Sequence, residues 1–150
     1  SHGDHTIQTH LENYLEISTS KYLAESYNEL DDDFISLLEN VNAKYDSVED
    51  SKLYKVESAL GIYFKGELKD YYQNTQITEC DILEFSTVDN LVEITEEARE
   101  KGLDNNYVVI EWLGGDIYSV CDRFGNMYEF YNDVKDLEVT LKEYISNRIV

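Results

Sequence analysis

The side chains best suited to chemistry are few, or badly placed for it. Three histidines, His2, His5 and His10, all fall in the first ten residues. His2, Asp4 and His5 are ligand types that zinc accepts, but a working site needs ligands held by a second layer of bonds, and chain ends seldom supply that. With no histidine after His10, a Ser-His-Asp or Cys-His arrangement inside the domain is excluded. Cys80 and Cys121 show no CxxC spacing and read as buried thiols. Gly114-Gly115 joins two strand-like runs rather than a strand and a helix, so phosphate-loop logic fails and a hairpin turn is expected. Glu111, Asp116, Asp122 and Glu129 fall in or beside one stretch, and paired carboxylates can act as acid and base on a glycoside. Among 32 acidic residues, however, accidental proximity is the rule. No catalytic residue, metal or cofactor is expected.

Composition points the same way. The chain has 150 residues, enough to bury roughly 70% of its unfolded surface around one core. Thirteen Tyr, five Phe and one Trp exclude a disordered chain, and the absence of Pro excludes Pro-rich and collagen-like classes. The net charge is −20, with 15 of the acids in residues 1–75 and 17 in 76–150, so it is a property of the whole body. Such a field repels nucleic acid and anionic membranes and attracts basic proteins. No apolar run approaches a membrane span, and no signal peptide is visible, so a cytoplasmic protein is expected. One domain over 1–150 is expected, with Ser1-His2-Gly3 read as a tag remnant and residues 1–8 as disordered or tag-derived.

The elements that must position these residues follow from periodicity. Residues 9–29 predict a helix, with Thr9 and Glu12 as a capping box. Asp31-Asp32-Asp33 opens a second helix, where a helix N-terminus favours negative charge, and Phe34, Leu37, Leu38 and Val41 form its apolar face. Helices are predicted at 50–60, ending at Gly61, at 66–73 and at 88–101, ending at Gly102. Residues 81–86 alternate as a strand. Tyr107–Leu113, Ile117–Asp122 and Met127–Tyr131 predict a three-stranded meander, and Val134, Leu137, Leu141, Tyr144 and Ile145 predict a closing helix over 134–148. The fold class is α+β: one antiparallel twisted sheet, ending in the meander, flanked by N-terminal helices and a C-terminal helix.

Strict alternation along the meander puts Val108, Ile110 and Trp112 on one face, and Val109 and Glu111 on the other. One face is then large and apolar. The other mixes Glu111, Ser119, Glu129 and Tyr131 with smaller groups, and is where a protein partner would dock. The residues expected to contact it are Glu111, Trp112, Asp116, Asp122 and Tyr128, of which Trp112 and Tyr128 lie on the apolar face.

Val56-Glu57-Ser58-Ala59-Leu60-Gly61-Ile62-Tyr63-Phe64, followed by Leu68 and Tyr71-Tyr72, resembles the opening motif of the SUKH superfamily, the Smi/Knr-type group. That motif is a helix bearing a Glu, a Leu-Gly turn, an apolar residue and usually Pro, then a short helix. Lys65 stands where Pro is usual. Val108–Ile110, Gly114-Gly115, Tyr118, Asp122, Gly125 and Tyr128 also fit, so the resemblance covers about 50–150. It implies a non-catalytic immunity protein that neutralises a cognate toxin, expected to be a basic nuclease or deaminase. Two alternatives stay open: a metal-dependent enzyme using surface carboxylates, and a regulatory binding scaffold.

Overall fold

The computed structural model describes residues 32–150. The predicted helix at 9–29 with its capping box, the three histidines, Asp31 and residues 1–8 lie outside the described residues. The chain divides into two compact units, Ser1–Ser36 and Leu37–Val150. Of the first, only 32–36 are described, in a helix, α1, that runs over 32–40. The architecture below is that of the second unit.

Its elements in order are β1 (Lys44–Asp46), α2 (Asp50–Leu60), α3 (Gly66–Asn74), β2 (Gln76–Glu79), α4 (Leu91–Glu100), β3 (Tyr107–Gly114), β4 (Ile117–Asp122), β5 (Asn126–Tyr131), β6 (Asp133–Thr140) and α5 (Leu141–Ile149). The protein is α+β. Its main sheet is an antiparallel meander in the order β3-β4-β5-β6, and β1 and β2 pair as a separate two-stranded sheet.

Helix α2 buries Leu53, Val56 and Leu60, one apolar side chain per turn. It stops at Gly61, whose φ of 72° is the left-handed conformation glycine adopts without strain, and whose N–H caps the Glu57 carbonyl. Helix α4 buries Leu91, Thr95 and Ala98. It covers one face of the meander, where Val109, Tyr118, Val120 and Phe130 form the core with Ala98 and Leu103. The aromatic pair Tyr107–Tyr128 extends that core edge-to-face at 5.0 Å. Helix α5 lies against the opposite face.

The sheet differs from the expectation in three places. Residues 133–140 are a fourth strand, so the closing helix begins at Leu141 rather than 134. The ladder jumps there: Asn126 pairs with Thr140 but Tyr128 with Asp136, and Glu138 takes a φ of 58°. The extra residues put Val134, Leu137 and Leu141 at intervals that mimic a helix. The predicted strand at 81–86 is instead a turn with two isolated bridges, Cys80 to Leu83 and Phe85 to Glu111. Asp81 in left-handed conformation (φ 52°) breaks the extended run.

The third difference changes the faces. Val109 pairs with Val120 and Glu111 with Ser119, so Ile110 is an inserted residue. A one-residue bulge inverts every later side chain. Val109 therefore faces α4 while Glu111 faces α5, and Val108 and Trp112, placed together by alternation, part company.

Candidate functional site

Of the five residues expected to meet a partner, Glu111 is the most buried. It is 4% exposed. Its Oε1 accepts Arg148 Nε at 2.9 Å and the Tyr144 hydroxyl at 2.7 Å, and its Oε2 accepts Arg148 Nη2 at 2.6 Å. Tyr144 also bonds Ser119, the residue beside Glu111 in the ladder, at 2.5 Å. Burial first, and then the Glu111 bond, raise the Tyr144 hydroxyl above its usual range. The mixed face is thus covered by α5. Tyr144 and Arg148, four apart on that helix, were the sequence signal for it.

Trp112 stands out from the sheet, 55% exposed, with its indole N–H donated to the Gly115 carbonyl at 2.9 Å. That bond lies inside the Gly114-Gly115 hairpin and fixes the ring over it. Asp116, in the same hairpin, is exposed and pairs with Lys101 at 3.0 Å. Lys101 donates to the Tyr118 hydroxyl at 2.8 Å, and that hydroxyl donates to Glu97 at 3.1 Å. These bonds, first to Tyr118 and then to Asp116, hold the Lys101 ammonium charged well above its usual range.

Asp122 and Tyr128 sit together at the other end of β4. One Asp122 oxygen accepts the backbone N–H groups of Phe124, Gly125 and Asn126 at 2.9, 3.1 and 3.0 Å. The other takes the Asn126 amide at 3.0 Å and the Tyr128 hydroxyl at 3.2 Å. Burial and then the Asp122 charge push Tyr128 up to about 12. At about 3.3 Å per residue, the six residues of β4 separate this pair from the Trp112 hairpin by well over 10 Å. The structure therefore makes two groups of the five residues, not one.

The β4–β5 turn that Asp122 builds is docked on the start of α3. Lys65 donates its N–H to the Arg123 carbonyl at 2.8 Å, and Glu67 to that of Phe124 at 3.2 Å. A Cβ on Gly125 would lie 2.9 Å from Glu67 Cβ, so only glycine fits this approach. Glu67 is buried, and its carboxylate accepts the Lys142 backbone N–H at 2.7 Å at the start of α5. The Lys142 ammonium pairs with Asp70 on α3.

Chemistry at either group is limited by its partners. Among the described residues, no three His, Cys, Asp or Glu side chains converge as metal ligands. Cys80 and Cys121 are buried, and desolvation raises both thiols. No helix among the described residues is long and apolar enough to cross a membrane.

The chain around Glu57 is a helix, a glycine turn and a second helix. Gly61 turns the chain, Glu57 Oε2 accepts the Phe64 N–H at 2.6 Å, and α3 starts immediately after. A family model described as SMI1-KNR4 cell-wall, in the SUKH group, matches residues 23–149. The chain belongs to the SUKH family. No curated protein matches it. In this SUKH chain the Glu of the opening motif is structural, because it holds the link between α2 and α3. Lys65, at the position where Pro is usual, uses a backbone N–H that Pro lacks.

Proposed function

We propose that this SUKH chain is a non-catalytic immunity protein that binds and neutralises a toxin domain inside the producing cell. Membership of the family over residues 23–149 carries the reading. The charge of −20 supports a basic partner, such as a nuclease that holds phosphates with Lys and Arg. A negative body is drawn to such a surface and associates faster by steering. Trp112 and Asp116, exposed on the same hairpin, are the contact residues. Glu111, Asp122 and Tyr128 act one step back, by holding α5 and the β4–β5 turn in place.

The test is co-expression with the C-terminal domain of whatever large secreted protein is encoded next to this chain. Growth is restored, and a complex co-purifies at low salt and weakens at high salt. Unrelieved toxicity with no complex refutes the proposal.

A further inference from the structure

Three of the exposed large apolar side chains among the described residues line one cleft. Ile82 is 88% exposed, Trp112 55% and Leu113 38%. With Leu83 and Glu84 they line an open cleft of about 300 Å³, floored by the Glu111–Arg148 ion pair. A second concavity of about 570 Å³ adjoins it and shares Ile82, Leu83 and Arg148. Apolar side chains gathered in water at the rim of a concavity offer area that a partner can bury.

The geometry points to this cleft as the docking site for a basic protein partner, which inserts an apolar side chain flanked by Lys or Arg. The inference rests on the proposed binding function and adds where the partner sits and what it presents.

Three observations converge on it. First, the backbone is shaped to expose these groups. β3 is an edge strand, and the register shifts again between Trp112 and Gly114, so Leu113 is a second inserted residue that re-aims its side chain. The Cys80–Leu83 bridge and the left-handed Asp81 together turn Ile82 outward. Second, Trp112 is already held by Gly115, so a partner meets a fixed aromatic anchor and spends little entropy ordering it. Third, the charges fit one sign of partner. Asp81 and Glu84 line the concavities, are exposed, and form no ion pair among the described residues. The cation at the cleft, Arg148, already has both its bonds on Glu111.

The rival patch fails on charge. Tyr63 and Phe124 are also exposed, but they stand beside Lys65 and Arg123, and the Arg123 guanidinium lies over the Phe124 ring at 4.9 Å. A basic partner is repelled there.

The chain has one tryptophan, and it is in the cleft. Fluorotryptophan incorporated into the full chain therefore gives a single fluorine resonance that reports the site. The probe is the C-terminal domain, inactivated by substitution, of whichever large secreted protein is encoded next to this chain. Its addition shifts the Trp112 resonance to saturation. Ile82→Ser and Leu113→Ser each weaken binding roughly tenfold or more, while Phe124→Ser leaves the affinity unchanged. Glu84→Lys weakens binding and flattens its salt dependence. Equal melting temperatures of the variants show that folding is intact. A complex with an unmoved Trp112 resonance and unaltered affinity of Ile82→Ser overturns the cleft but leaves the immunity reading standing. Failure of the unmodified chain to bind or rescue overturns both.

Discussion

The Glu111 carboxylate and the Arg148 guanidinium meet face to face across 37 residues of chain, through bonds of 2.9 and 2.6 Å. Two parallel charge-assisted bonds of this kind fix orientation as well as distance. The acid is buried, while the Arg148 side chain is 39% exposed. The pair clamps the last turn of α5 to β3, beneath the cleft around Trp112.

The two ends of this clamp are unequal. Arg148→Met strands a charged, buried carboxylate and is expected to cost about 2–3 kcal/mol, at the low end for a broken buried pair because the arginine is partly solvated. Glu111→Gln keeps the Tyr144 bond and releases an arginine that can reach water, costing about 1 kcal/mol. Urea unfolding of both variants checks the order; equal losses contradict it.

Glu67 sets a pH dependence. Burial raises its carboxyl above 4.5, despite the opposing bond from the Lys142 N–H. The folded state then binds the proton more tightly than the unfolded state. That contribution is fully present below 4.5 and lost as pH rises through the folded value. The repulsion within a chain of charge −20 acts in the same direction. The melting temperature rises as pH is lowered from neutrality toward 5, and the slope is shallower in Glu67→Gln. An equal slope in the variant rejects the assignment.

Backbone substitutions separate a close approach from a turn. Gly125→Ala forces its Cβ against Glu67 at 2.9 Å in addition to the cost of φ 99°, and is expected to lose more than about 2 kcal/mol. Gly61→Ala has φ 72° but open space, and loses about 1 kcal/mol. Lys65→Pro removes the N–H bonded to Arg123 and demands a φ near −65° where the chain has −137°, so it destabilises by at least about 1 kcal/mol. Denaturation midpoints at constant slope rank the three.

Divalent cations distinguish a binding domain from a metal-dependent enzyme. Mg²⁺, Ca²⁺ and Mn²⁺ are each expected to raise the melting temperature slightly and equally, by screening the negative surface. A rise confined to one cation indicates a specific site through mass action, and reinstates the enzyme reading.

Much of this molecule is written in local pattern. The helix at 50–60 with its Gly61 stop, the Gly114-Gly115 hairpin and the meander strands 107–131 depend on propensity and turn chemistry a few residues wide, so sequence alone determined them. The same holds for the net charge and for the SUKH motif around Glu57. Weakly patterned pieces escaped: β1 is three residues long and gains its strand form only by pairing with β2. The bulge in β6 disguised a strand as a helix.

The site was decided by tertiary structure. Whether Glu111 falls on the α4 side with Val109 or on the α5 side with Arg148 depends on one inserted residue, Ile110, and nothing in the Val-Val-Ile run says which of its members the ladder will skip. Strand parity is a sum along the chain, so a single bulge reverses everything beyond it. The cleft joins Ile82 from a turn, Trp112 and Leu113 from an edge strand, and Arg148 from a helix. Their convergence is set by packing, which no spacing along the sequence records.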